Sequence, residues 1–206
     1  MAWPRRPDSQ TPAAPRTAPK GAQSESVEGV APGTSAVFQA LREDRSHAVL
    51  DLGTAADQNL RVYSRFARWI HFADLLGEPW TQRGEPAVGG LHLPKLDRAY
   101  DVVFAWDILD RLFPEARSRL VQWLMDTTAA KTRIHAVVRA SEDAIARPLR
   151  FTLIDVGRIR YEIAGTAPQP LFKLLPAEVA KVLAPFRVAN AFTLKNGLRE
   201  YVAIRP

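Results

Sequence analysis

Residues 48–60 read Ala-Val-Leu-Asp-Leu-Gly-Thr-Ala-Ala-Asp-Gln-Asn-Leu, and residues 100–109 read Tyr-Asp-Val-Val-Phe-Ala-Trp-Asp-Ile-Leu. Each stretch contains a short apolar run, which is typical of a strand buried on both faces of a parallel sheet. The runs reach a carboxylate, Asp51 in the first stretch and Asp107 in the second. Because the carboxyl ends of parallel strands border the crevice in which ligands bind, we expect a small-molecule site between these two strand ends.

Strand and helix patterns alternate on both sides of these stretches. Further strands are predicted over residues 69–73 and 133–138, and the helices are predicted to begin near Thr34, Asp57, Pro114 and Pro176. This alternation predicts an α/β, Rossmann-like, doubly wound sheet of mostly parallel strands with helices on both faces. Near the end of the chain, Asn196-Gly197 lies between two apolar runs and predicts an antiparallel hairpin.

For the second predicted helix, the sequence indicates which residue caps its N-terminus and which residues are buried. Asp57 is a candidate N-cap, because its carboxylate can accept from free N–H groups of the first turn. The predicted buried face consists of residues at helical spacing, Leu60, Tyr63, Phe66 and Ala67.

The first 33 residues have a different composition. They show no hydrophobic period of either kind and contain Pro4, Pro7, Pro12, Pro15, Pro19 and Pro32. Such a segment buries too little to offset its ordering entropy, so we expect a disordered tail over residues 1–33 and one α/β domain over residues 34–206. The tail lacks the apolar core of a secretory signal, and no apolar run approaches the length that a bilayer requires. We therefore expect a cytoplasmic protein that does not enter a membrane.

The amino-acid composition limits the kinds of functional site and partner that we expect. The chain has no cysteine, and its four histidines show none of the helical spacings that build metal sites, so no metal is expected. The formal net charge of +6 favours phosphate polymers or acidic surfaces as partners. The basic residues are dispersed, however, and ordinary solvated helix or strand faces explain them better.

The quoted motifs resemble those of class I S-adenosylmethionine-dependent methyltransferases over about residues 35–206. In that family the first strand leads into an acidic-x-Gly-x-Gly-x-Gly loop, the second strand ends in an acid, and the fourth carries an "FDVV" motif. Here Asp51 and Gly53 match the start of the loop, Asp74 matches the second-strand acid, and residues 100–103 match the fourth-strand motif. Residues 186–206 look like the family's closing hairpin.

The resemblance implies S-adenosylmethionine as cofactor. It implies that a carboxylate at a strand end holds the ribose hydroxyls, that the glycine turn approaches the methionine part, and that residues after the fourth strand border the acceptor. The candidate cofactor-site residues are Asp51, Gly53, Thr54, Ala55, Asp74, Leu75, Trp106 and Asp107. No catalytic base is assigned, because methyl transfer from a sulfonium depends mainly on alignment.

The chain departs from the family pattern at three places. Ala55 and Asp57 stand where the family has its second and third glycines, and residues 89–94 offer no carboxylate for the adenine amino group. Two functions therefore remain open. One is a methyltransferase with an unknown acceptor, and the other is a non-catalytic methyltransferase-like scaffold that binds a protein or nucleic-acid partner through its basic surface. A nicotinamide dehydrogenase is disfavoured, because its Gly-x-Gly-x-x-Gly fingerprint is missing.

Residues 150–165 are predicted to form two short strands outside the common sheet. Such an insertion either shapes a lid over the acceptor or extends the edge of the domain and covers its core.

Overall fold

A computed structural model describes residues 26–75, 91–140, 148–164 and 172–206. The strands are β1 (Ser26–Val30), β2 (His47–Asp51), β3 (Ala67–Phe72), β4 (Tyr100–Phe104), β5 (Thr128–Arg139), β6 (Leu149–Asp155), β7 (Arg158–Ile163), β8 (Arg187–Thr193) and β9 (Leu198–Ile204). The α-helices are α1 (Pro32–Phe38), α2 (Asp57–Tyr63), α3 (Pro114–Thr127) and α4 (Pro176–Leu183). Two short 3-10 helices lie at Leu109–Arg111 and Lys195–Gly197.

The central sheet has six strands in the order β3-β2-β4-β5-β9-β8. The four strands from β3 to β5 are parallel to one another. Strand β9 is antiparallel to both of its neighbours, β5 and β8. The predicted fold class is confirmed, including the antiparallel hairpin at the end of the chain.

Hydrophobic cores lie on both faces of this sheet. On one face, Leu50 and Val103 belong to a core that includes residues of α3 and α4. On the other face, Val49 and Val102 belong to a core that includes residues of α1, α2 and β6. Because neighbouring residues of one strand point to opposite faces, the continuous apolar runs of β2 and β4 supply both cores.

A second sheet covers part of the α1 and α2 face. It is antiparallel, with the order β1-β7-β6. The two strands predicted outside the common sheet are thus observed as β6 and β7. The turn between them is tied to α1, because the backbone N–H of Ala31 donates to the Gly157 carbonyl at 2.8 Å and the Thr34 hydroxyl donates to the Val156 carbonyl at 3.2 Å. These bonds favour the edge-extension interpretation over a moving lid.

The tail boundary expected at residue 33 differs from the structure. Residues 26–30 form β1, which pairs with β7 from Ser26↔Glu162 to Val30↔Arg158, and Ala31 is fully buried. The partner strand lies far along the chain, so local composition carried no sign of the pairing. Residues 1–25 lie outside the described residues.

One expectation for α2 is wrong, and the other is confirmed in part. The N-cap residue is Ala56, without a side-chain cap hydrogen bond, and Asp57 is the first helical residue, where its charge still favours the helix N-terminus. Tyr63, Phe66 and Ala67 are buried as predicted, whereas Leu60 is 45% exposed and Asn59 and Val62 complete the buried face. The polar Asn59 takes a buried position because it has hydrogen-bond partners there.

Three findings concern absences in the described part of the chain. No helix there is long and apolar enough to cross a membrane. No group of His, Cys, Asp and Glu in the same residues could hold a metal ion. Residues 91–99 contain neither helix nor strand.

Candidate functional site

The structure brings the predicted site residues to one edge of the central sheet. Asp51 is the last residue of β2, and it pairs in register with Phe72 of β3 on one side and Phe104 of β4 on the other. The loop of Gly53, Thr54 and Ala55 follows β2, Asp74 and Leu75 follow β3, and Trp106 and Asp107 follow β4. These eight residues do not form a single cluster, and their contacts divide them into three groups.

Asp51 is fully buried, and its carboxylate accepts hydrogen bonds from other groups of the protein. Its Oδ1 accepts from the backbone N–H of Gly53 and from the indole Nε1 of Trp106, both at 2.8 Å. Its Oδ2 accepts from the Tyr63 hydroxyl at 2.7 Å and from the Asn59 amide at 3.3 Å. The carboxylate thus joins the loop, helix α2 and the end of β4.

Burial has opposite consequences for the charge of Asp51 and of its partner Tyr63. Desolvation raises the pKa of Asp51 to about 6, although the hydrogen bonds from Tyr63, Gly53, Trp106 and Asn59 lower it. Desolvation and the neighbouring Asp51 carboxylate raise the pKa of Tyr63 well above its ordinary value. At neutral pH the pair is therefore an ionised carboxylate and a phenol that donates to it.

Trp106 is packed against the Gly53 turn. A Cβ atom added at Gly53 would lie 3.1 Å from Cδ1 of Trp106 and 3.2 Å from Oδ1 of Asp51, so a side chain at this position would require these neighbours to shift. The ring of Phe151 stacks on the indole with centroids 5.3 Å apart and planes 3° apart. Trp106 has a φ of 35°, which is a strained conformation for a bulky residue. This φ departs from extended backbone, in agreement with the end of β4 at Phe104.

Thr54, Ala55 and Asp74 form the exposed part of the edge. The Thr54 hydroxyl donates to Oδ1 of Asp74 at 2.9 Å, and the backbone N–H of Asp74 donates to the Gly53 carbonyl at 3.2 Å. Asp74 has a φ of 41°, in the left-handed region. Leu75 is buried behind this pair, in the core that packs against α3 and α4. An exposed carboxylate at a strand end is a suitable acceptor for ligand hydroxyls.

Asp107 belongs to a buried ion cluster and not to the exposed edge. One of its oxygens accepts from Nη2 of Arg139 at 3.0 Å and from the Leu149 N–H at 3.3 Å. Arg139 also donates from Nη1 to Asp110 at 2.9 Å, and burial raises the pKa of Asp110 to about 6. This carboxylate anchors the start of β6 to the ends of β4 and β5, and its predicted place at the border of an acceptor pocket stays a prediction.

Some residues of this network were not predicted as site residues. Asn59 connects two elements, because its amide donates to Asp51 and its Oδ1 accepts from the Leu153 N–H of β6 at 2.7 Å. The sequence offered one signal for Asn59, because it is a polar residue next to the predicted buried face of α2. Phe151 carried no signal of this kind, because its place against Trp106 depends on how β6 packs.

A second buried carboxylate holds α1 on the sheet. Glu200 of β9 accepts from the backbone N–H groups of Gly33 at 2.8 Å and Thr34 at 3.4 Å. Nε2 of His135 lies 2.8 Å from Oε1 of the same carboxylate, and both side chains are fully buried. This pair lies beside the candidate site, because the His135 ring meets the edge of the Trp106 indole with centroids 5.4 Å apart.

Solved structures that share this architecture include S-adenosylmethionine-dependent methyltransferases. The chain is similar to an S-adenosylmethionine-dependent methyltransferase from Mesorhizobium loti, with 14% identity, a TM-score of 0.54, and coverage of 82% of this chain and 96% of that one. It is also similar to the 1,6-didemethyltoxoflavin-N1-methyltransferase of Burkholderia thailandensis, with 15% identity, a TM-score of 0.53, and coverage of 84% and 76%. The fold is that of a class I methyltransferase. No protein-family model and no curated protein matches the sequence.

The methyltransferase fold allows the departures in the loop to be judged. Ala55 is exposed and does not have a positive φ, so the alanine at the second glycine position causes no backbone strain. The positive φ angles at this edge belong to Asp74 and Trp106. Asp57, at the third glycine position, is an exposed first-turn residue of α2. The loop is therefore an unstrained variant that is held in place by Asp51.

Proposed function

We propose that the protein binds S-adenosylmethionine at the ends of β2 and β3 and transfers its methyl group to an acceptor that is not identified. The observation that carries the proposal is the exposed Asp74 carboxylate, hydrogen-bonded to Thr54 at 2.9 Å beside the Gly53 loop. The class I methyltransferase fold supports it, since the similar Burkholderia enzyme was solved with S-adenosylhomocysteine bound.

Each residue of the edge has a role in this proposal. Asp74 would accept from the ribose hydroxyls, and the exposed segment from Gly53 to Ala55 would lie along the methionine part. Asp51 would act indirectly, because its oxygens already accept from Gly53, Asn59, Tyr63 and Trp106. When bound, the cofactor supplies an electrophilic methyl group on a sulfonium. The protein then contributes mainly proximity and orientation of the acceptor.

A specific observation favours the alternative, a non-catalytic scaffold. The Trp106 indole packs against the side of Gly53 from which a Cβ would project, in the turn that the resemblance assigns to cofactor contact. In this second proposal the fold is retained without the cofactor, and the basic surface binds a protein or nucleic-acid partner. The expectation of a cytoplasmic protein stays a prediction in both cases.

Calorimetric titration of the full chain with S-adenosylmethionine and S-adenosylhomocysteine tests the first proposal. We expect micromolar affinity that Asp74→Asn reduces at least tenfold. Asp126→Asn is the matched control, because it removes an exposed carboxylate at the far end of α3. Absence of binding at millimolar ligand, or equal affinity in Asp74→Asn, would contradict the proposed site.

A further inference from the structure

Access to the Gly53 turn depends on the position of one side chain. The Trp106 indole places Cδ1 at 3.1 Å and Nε1 at 3.5 Å from the point where a Cβ of Gly53 would stand. The space beside the glycine is therefore occupied by the protein. A ligand group that approaches the turn from this side meets the indole first.

Several contacts hold the indole in this position. Its Nε1 donates to Asp51, and the Phe151 ring stacks on its face. Phe104 stacks at a centroid distance of 5.4 Å, and His135 meets the ring edge at the same distance. The φ of 35° at Trp106 is unfavourable, and such conformations persist only where the surroundings over-determine them. The packing around Trp106 thus stabilises the indole beside Gly53, although the backbone conformation of Trp106 in this position is unfavourable.

We propose that Trp106 is a gate to the cofactor site. The methionine part of S-adenosylmethionine reaches the Gly53 turn when the indole leaves Asp51 and rotates away, and the backbone of Trp106 is then free to relax. The inference rests on the proposed function and adds an element that controls it. Thr54 and Asp74 stay exposed while the gate is closed, so the ribose end of the cofactor has access to its acceptor before the gate opens.

The gate has a quantitative consequence for affinity. When only a fraction of the molecules is competent to bind, the apparent dissociation constant rises by the inverse of that fraction. If about one molecule in ten is open, removal of the indole strengthens binding about tenfold. A tryptophan that contacts the cofactor directly has the opposite effect, because its removal weakens binding.

The first experiment measures S-adenosylhomocysteine affinity by calorimetry in the wild type, Trp106→Ala and Phe151→Leu. We expect Trp106→Ala to bind about tenfold more tightly, and Phe151→Leu to fall between it and the wild type because it removes one of the stacked rings. Trp69→Phe is the control, since this indole lies in β3, is 46% exposed and contacts Arg98. Equal or weaker binding in Trp106→Ala overturns the gate.

The second experiment observes the gate in the wild type, so it does not depend on the folding of Trp106→Ala. The protein is labelled with 5-fluorotryptophan, and the Trp106 resonance is assigned by its loss in Trp106→Phe. On saturation with S-adenosylhomocysteine we expect this fluorine resonance to shift while that of Trp69 stays in place. If the ligand binds and the Trp106 resonance does not move, the gate is wrong and the proposed function stands. If no variant binds at millimolar ligand, both fail.

Discussion

The indole Nε1 of Trp106 lies 2.8 Å from Oδ1 of Asp51, and this hydrogen bond joins the end of β4 to the end of β2. The same oxygen accepts from the N–H of Gly53, so the turn after β2 and the turn after β4 share one acceptor. Buried hydrogen bonds to a charged group are strong, and their removal leaves the remaining partners unsatisfied. This geometry leads to specific expectations for stability.

Tyr63→Phe removes one of the donors to Asp51 and keeps the ring. We expect the free energy of unfolding to fall by about 2 kcal/mol, because a hydrogen bond to a buried carboxylate is lost. Urea denaturation measures the change. In an Asp51→Asn background the same substitution should cost clearly less, and an equal cost in both backgrounds would show that the hydroxyl does not act through Asp51.

The raised pKa values of two carboxyls predict a pH dependence. Burial raises the pKa of Asp51 and of Asp110 to about 6 from the ordinary value of 3.8. Between about pH 4 and pH 6 the native state therefore binds more protons at these groups than the unfolded chain does. Their contribution to the free energy of unfolding falls as the pH rises through this window, by about 3 kcal/mol for each group.

Asp51→Asn tests this sign. Relative to the wild type, the variant should gain stability between pH 4 and pH 6, because it lacks the group whose ionisation destabilises the native state. Urea denaturation at pH 4, 5, 6 and 7 measures the difference. Asp74→Asn, at an exposed carboxylate on the same edge, should leave the wild-type profile unchanged. A stability difference between Asp51→Asn and wild type that does not vary with pH contradicts the assignment.

Gly33→Ala and Gly29→Ala form a matched pair. A Cβ at Gly33 would lie 2.9 Å from Cβ and from Cδ of Glu200, whereas a Cβ at Gly29 would meet nothing within 4 Å. We expect Gly33→Ala to lower the free energy of unfolding by 1–3 kcal/mol, roughly, since overpacking displaces the buried Glu200. Gly29→Ala should be neutral or slightly stabilising. Thermal or urea unfolding of both variants is the measurement, and equal stabilities would refute the close approach.

Asn59→Leu removes the side chain that connects β6 to Asp51 by hydrogen bonds. The substitution leaves the buried Leu153 N–H without its acceptor at 2.7 Å, which should cost about 1–3 kcal/mol. Hydrogen exchange followed by mass spectrometry measures the effect. Relative to the wild type, we expect the substitution to accelerate exchange in β6 and β7 more than in β5. Gln58→Ala is the control, because Gln58 makes a longer bond of 3.3 Å to the Ile154 carbonyl. Unchanged exchange in β6 would mean that Asn59 does not hold the hairpin.

Local patterns were sufficient for much of the fold. The apolar runs predicted β2 and β4, Pro114 predicted the start of α3, and Asn196-Gly197 predicted the turn between β8 and β9. These signals depend on side-chain periodicity, on the missing N–H of proline and on the φ that glycine allows. Gly197 indeed has a φ of 72°. The order of parallel strands then places the strand ends, and with them Asp51 and Asp74, on one edge.

The contacts between residues at that edge could not be predicted from the sequence and are seen only in the folded chain. The donors to Asp51 are 2, 8, 12 and 55 residues away in sequence. Glu28 of β1 pairs with Arg160, which is 132 residues away. Sequence order determines which residues arrive at the C-terminal edge of a parallel sheet, because strand direction and side-chain alternation are local properties. Whether a carboxylate there faces solvent, as Asp74 does, or is surrounded by the protein's own donors, as Asp51 is, depends on packing between distant segments, and no local pattern encodes it.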